Sequence, residues 1–262
     1  MANRGTKEGD IQEINDVKYI NSHKEEFLEY FDNFNSDIKN LWMVRVCTNQ
    51  FSTLTNKTVK TRADAFLICV KGVDLQEYVS LNKYLDEEIL KQFLGQYDKV
   101  LKSGVSIKLD DSKKYQILKC GPSSFVSLFG NYELGAGASL FCMREEELIK
   151  NNNLLTGWNT NTEKMYKCFS ALGISQKFIE NKQDCEKVKT FALQEIKRLV
   201  DSSKILQQKI FNGIGVYEEP YSAYYFLQNN KIEELNYINF SVTTGSGRSH
   251  GDYTLVLKPK GK

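Results

Sequence analysis

The chain is short of several things that common active sites need. It has two histidines, His23 and His250, and its six cysteines contain no Cys-x-x-Cys pair, so a zinc site is not expected. A GxxxxGK[ST] phosphate loop and a GxSxG nucleophile elbow are both missing, which argues against a P-loop nucleotide hydrolase and a serine hydrolase. No apolar run approaches the roughly 18 residues of a membrane-spanning helix. The first 26 residues are rich in charge and lack the apolar stretch of an export signal. These absences predict a cytoplasmic protein with no membrane partner and with reduced thiols. An excess of one charge is lacking too. The 35 basic and 33 acidic residues leave a net +2, which excludes a histone-like protein but permits nucleic-acid binding through one local patch. There are no internal repeats and no low-complexity tail.

What is present suffices for a sizeable core: 41% of the 262 residues are hydrophobic and 12% aromatic. Residues 7–39 carry two apolar stripes at helical spacing, Ile11, Ile14 and Val17, then Phe27, Leu28, Phe31 and Phe34. They predict two helices or one broken helix, with Asn21-Ser22 as a cap for the second. Residues 41–51 and 62–71 read as strands, separated by a polar turn or hairpin. The block 75–101 has helical periodicity, and 104–109 reads as a short strand. From about 161 to 211 the pattern is mainly helical. Trp158 sits in a polar run, where anchoring the chain is favoured over stacking on a base. Two alternating segments flank the Gly-rich stretch 245–251 and predict a C-terminal β-hairpin. The expected fold is α/β or α+β: a mixed central sheet flanked by helices, with a helical insertion. The expected division is a core over 1–144, a mainly helical region over 145–215, and C-terminal strands over 216–262.

Two strands carry the chemistry. Arg62-Ala63-Asp64-Ala65-Phe66-Leu67-Ile68 puts an acid at the head of an apolar run, and Gly104-Val105-Ser106-Ile107-Lys108 puts a lysine at the end of another. With a side-chain period of two, Ser106 and Lys108 share a face and Ile107 points into the core. A carboxylate can hold a divalent cation that offsets the charge of a phosphodiester and lowers the pKa of bound water. A lysine beside it can orient that water and stabilise the charge that develops on phosphorus.

Asp64 followed by Ser106-Ile107-Lys108 resembles the signature of the PD-(D/E)xK nucleases, the superfamily that includes type II restriction endonucleases. Asn3-Arg4-Gly5-Thr6-Lys7-Glu8 resembles the Asn-x-Gly-x-x-Glu opening of several such enzymes. Ala63 stands where the proline would be, and Ser106 where the second acid would be. The resemblance covers roughly residues 1–120. It implies a Mg²⁺-dependent, site-specific double-stranded DNA endonuclease acting as a homodimer. Asp64, Lys108, Ser106 and Glu8 would form the catalytic group, and Asp64 and Glu8 would hold the metal. Glu13 is a less favoured alternative to Glu8, and Asp110 a possible substitute for the missing acid.

Lys57, Lys60 and Arg62 precede the first of these strands, and Lys113, Lys114 and Lys119 follow the second. Both groups are candidates for backbone phosphate contacts. In the Gly-rich segment, Arg248 is a candidate for a guanine edge and His250 for a phosphate. Two competing expectations remain. One is a non-catalytic nucleic-acid-binding or assembly protein, favoured by Ser106; the other is a repair or RNA-directed nuclease.

Overall fold

A computed structural model describes residues 4–76, 83–110, 115–244 and 253–260. The chain forms two compact units, Met1–Ser112 with Phe211–Tyr237, and Lys113–Ile210 with Ile238–Lys262. The expected boundary at 144 falls inside the second unit, and that at 215 inside the first.

Among the described residues, the first unit begins with α1 (Arg4–Ser22), a 3₁₀ turn (Lys24–Phe27) and α2 (Leu28–Asp32). Next come β1 (Leu41–Arg45), β2 (Gln50–Ser52), β3 (Lys57–Val59) and β4 (Ala65–Val70). The short helix α3 (Glu87–Leu90), β5 (Tyr97–Lys99) and β6 (Val105–Ile107) follow. The second unit supplies β7 (Leu118–Cys120), and the chain then returns to the first for β8 (Tyr225–Gln228) and β9 (Lys231–Glu234). The main sheet has the order β1-β4-β6-β8-β9, with β5 also paired to β4. It is mixed: β1/β4 and β4/β6 are antiparallel, and β6/β8 is parallel.

Strand alternation places the two cores. Leu41, Met43, Ala65, Leu67 and Val105 face Val17, Ile20, Phe27 and Phe31, while Trp42, Val44, Phe66 and Ile68 face Leu75, Leu85 and Leu90. Both faces of β1 and β4 are therefore covered, which explains why these strands read as unbroken apolar runs.

Two local expectations are corrected. Asn21 and Ser22 do not cap a following helix. The buried Asn21 side chain donates to Met43 O at 2.8 Å and accepts from Met43 N at 2.8 Å, occupying the free edge of β1 as a strand would. The end of the 75–101 block is strand rather than helix, because β4 offers Tyr97–Lys99 an antiparallel partner from Val70 to Ile68. Between β5 and β6 the chain bows away from β4. The fully buried Ser103 fills that gap, its Oγ accepting from Leu67 N at 2.9 Å.

The second unit holds α4 (Pro122–Phe129), α5 (Tyr132–Ser139), α6 (Glu145–Leu148), α7 (Asn151–Gly157), α8 (Thr162–Phe169), α9 (Lys182–Ser202) and α10 (Lys204–Gln207). It also holds β10 (Phe240–Thr244) and β11 (Leu255–Pro259), an antiparallel pair that extends to β7. Trp158 is an anchor: it is fully buried, and its ring lies where a side chain at Gly135 would stand. No described helix is long and apolar enough to cross a membrane.

Cys142 and Cys185 form a disulfide, with Cα atoms 5.7 Å apart, which corrects the expectation that all six thiols are reduced. The packing of α9 brings together two buried sulfurs separated by 43 residues. Cys47, Cys69, Cys120 and Cys168 are not disulfide-bonded. Denatured, unreduced protein is expected to titrate four thiols. Replacing both bonded cysteines by serine is expected to cost about 2–4 kcal/mol in urea denaturation of oxidised protein. Six titratable thiols would refute the bridge.

Candidate active site

The geometry starts from the backbone of Asp64. Its N–H donates to Val105 O at 2.8 Å and its carbonyl accepts from Val46 N at 2.9 Å, so the residue is fixed beside β6 before its side chain does anything. Lys108 is fixed likewise, its N–H donating to Leu227 O at 3.0 Å. The Asp64 carboxylate then accepts on Oδ2 from Ile107 N at 2.7 Å and Ser106 Oγ at 3.2 Å, with Lys108 Nζ at 3.4 Å. Lys108 Nζ also donates to Ser106 Oγ at 2.6 Å and Ile107 O at 3.0 Å. Ser106 thus bridges acid and lysine, accepting from one and donating to the other. Asp64, Ser106 and Lys108, predicted from the strand pattern, stand together.

Asp64 also lines a cleft of about 260 Å³, together with Asp10, Glu13, Arg45, Thr48 and Lys60. Glu13 lies on α1 and Arg45 ends β1. Arg45 Nη2 reaches Asp10 at 2.9 Å and Glu13 at 2.7 Å, and its Nε donates to Glu13 at 2.8 Å. Burial pushes the Glu13 carboxyl above its ordinary pKa, the charge of Asp64 adds to that, and Arg45 opposes it. Glu8 is exposed on α1 and is not among the residues that line the cleft. Asp110 is engaged elsewhere, accepting from Asn229 N at 2.8 Å and Gln12 Nε2 at 3.4 Å.

Of the expected phosphate contacts, Lys60 lines the cleft and Lys57 is exposed on β3. The stem of Arg62 packs over Gly213: a Cβ there would lie 2.5 Å from Arg62 Cγ. Lys119 is exposed on β7 in the second unit. Asn3, Lys113, Lys114, Arg248 and His250 lie outside the described residues.

No protein-family model matches the chain, and no curated protein does either.

Among the described residues, no three His, Cys, Asp or Glu side chains converge closely enough to hold a metal ion. Mg²⁺ asks for less, since one or two carboxylates and several waters satisfy it. Asp64 and Glu13 fit that need. They line one cleft, their ligand atoms are hard oxygens, and their mutual repulsion is what a cation relieves.

Sequence reading missed Asp10, Arg45 and Glu87. Glu87 opens α3, and its Oε2 accepts from Cys47 N at 3.0 Å, Thr48 N at 2.9 Å and Thr48 Oγ1 at 2.6 Å. This holds the cleft wall against α3. Only a contact far along the chain reveals it, so no spacing rule could have.

Asp16, one turn after Gln12 on α1, is a buried carboxyl. Burial raises its pKa to about 6; the hydrogen bond from Gln12 opposes the shift and Asp110 adds to it. The folded state keeps the proton to higher pH than the unfolded chain does. Stability is therefore full below about pH 4 and falls as pH rises through about 6. Asp16→Asn, which still accepts from Gln12, is expected to gain about 1–2 kcal/mol at pH 8 and nothing at pH 4. Equal urea midpoints for the two proteins at pH 8 would count against this.

Proposed function

We propose that the chain is a divalent-metal-dependent nuclease acting on double-stranded DNA at specific sequences, in the cytoplasm and as a homodimer. The observation that carries this is the Asp64–Ser106–Lys108 cluster, built across adjacent antiparallel strands and opening through Asp64 into an acidic cleft. Three of the four catalytic residues expected from the nuclease resemblance, Asp64, Ser106 and Lys108, are hydrogen-bonded to one another. A helical acid is also at the cleft, with Glu13 in place of Glu8.

In this mechanism Asp64 and Glu13 would hold Mg²⁺, which supplies charge neutralisation and an acidified water when bound. The protein does the rest. Ile107 N fixes the rotamer of Asp64, so the carboxylate does not reorganise when substrate arrives. Ser106 holds Lys108 Nζ at the edge of the acid, where its charge meets the negative charge growing on the phosphoryl oxygens. Lys60 faces the same cleft and can take a neighbouring phosphate. Arg45 ties Glu13 and Asp10 to β1, keeping the helix acids turned toward Asp64.

Two observations favour a non-catalytic nucleic-acid-binding or assembly protein. Asp64 Oδ2 already has three donors, and Glu13 is already paired to Arg45. Under that reading the cluster is a brace between β4 and β6. Incubating mixed duplex DNA with Mg²⁺ or with EDTA separates the two. The nuclease reading expects discrete, metal-dependent fragments, whereas DNA left intact across many sequences favours the brace.

A further inference from the structure

The β2–β3 hairpin has one face without a structural task. The register pairs Gln50 with Val59, Phe51 with Thr58 and Ser52 with Lys57. The Ser52 face is inward: Ser52 is buried, and the next residue, Thr53, donates its N–H to Val216 O at 3.1 Å. Phe51 lies on the opposite face with 54% of its surface exposed, beside Thr58. Asn56, at φ 50°, makes the tight turn that joins the strands, and its N–H donates to Ser52 O at 2.9 Å. Two residues along each arm from the Phe51–Thr58 pair stand Asn49 and Lys60. The period of two puts them on the Phe51 side, and both line the Asp64 cleft.

Charge points the same way. Residues 49–61 contain Lys57 and Lys60 and no acid. Lys57 pairs with Ser52 and so stands on the other face, which leaves Lys60, at the cleft, as the cation on the Phe51 side. An exposed apolar ring on a hairpin that leads to a lysine in a cleft matches a ligand with an exposed π face and a negative charge next to it. An unstacked nucleotide in a nucleic-acid strand has both.

We propose that this hairpin is a nucleobase-stacking platform. Phe51 takes the face of an unpaired base, and Lys60 holds a phosphate next to it. The substrate is then a DNA duplex from which one base, beside the scissile phosphate, leaves the stack when the protein binds. This rests on the nuclease reading of the cleft.

The test is a binding titration in EDTA, where cleavage does not intrude. Phe51→Trp places an indole on the hairpin, while Trp42 is 3% exposed and Trp158 fully buried, so the native indoles are a constant background. Single-stranded oligothymidylate is expected to quench the new indole, and Phe51→Ala is expected to weaken binding of that oligomer roughly tenfold or more. Binding without quenching, or with equal affinity for Phe51→Ala, overturns the platform. So does a sedimentation shift from dimer to monomer in Phe51→Ala with affinity unchanged, which would make Phe51 a contact between copies. Phe51 is exposed, so its replacement leaves the core intact, and circular dichroism checks this. Quenching in a protein that never cleaves DNA leaves the platform standing and removes the nuclease reading. Cleavage by a protein that shows no quenching does the reverse.

Discussion

Asp64→Ala is expected to reduce metal-dependent DNA cleavage by at least about 10³-fold. The size follows from the double use of one carboxylate: it faces the cleft, and it holds Lys108 and Ser106 in register. Removing it also strands the Ile107 N–H, which now donates at 2.7 Å, at a cost of about 1–3 kcal/mol. A folding defect can therefore imitate a catalytic one. Asp64→Asn separates them, because its amide oxygen still accepts from Ile107 N while its charge is gone. The expected result is a urea midpoint near that of the parent with cleavage still lost. Lys108→Ala is expected to lose cleavage with little change in stability, since Lys108 is partly solvated. Full cleavage by both Asp64→Asn and Lys108→Ala would falsify the site.

Gly104→Ala is expected to destabilise the first unit by about 3 kcal/mol or more. Gly104 immediately precedes β6, and its carbonyl accepts from both Tyr224 N and Tyr225 N, at 2.8 and 3.1 Å. An added Cβ would overlap the Ser222 carbonyl oxygen and lie 2.7 Å from that of Pro220. Both obstacles are backbone, so no side chain can swing away. The strand must move instead, and with it Ser106 and Lys108, so activity is expected to fall alongside stability. Gly9→Ala is the control of opposite sign. Gly9 lies within α1 and nothing lies within 4 Å of its would-be Cβ, so this change is expected to stabilise by about 0.5–1 kcal/mol. Equal urea midpoints for the Gly104 and Gly9 variants would show that the close approach at Gly104 is not as drawn.

The site was legible to the degree that strand periodicity reports it. Apolar runs marked β4 and β6, and the period of two put Ser106 and Lys108 on one side. The helical acid was harder. Glu8 and Glu13 both lie on α1, and choosing between them needs the rotation of that helix about its axis. The pairing of Glu13 with Arg45 and of the buried Asn21 with Met43 sets that rotation against β1, a strand some twenty to thirty residues downstream in the chain. The end of the 75–101 block was misread for a related reason. Apolar spacing there suits a helix, but pairing with β4 satisfies backbone groups that a lone strand would leave open.

By itself the sequence determined the fold class, a mixed sheet flanked by helices with a C-terminal hairpin, and which residues head the two central strands. Those properties follow from local periodicity, which the chain carries in any conformation. Only the tertiary structure decided that Cys142 meets Cys185, that Glu13 rather than Glu8 lines the cleft with Asp64, and that Phe51 stands outward on its hairpin. Each of these depends on residues far apart in the chain, and on packing that fixes their distance and direction.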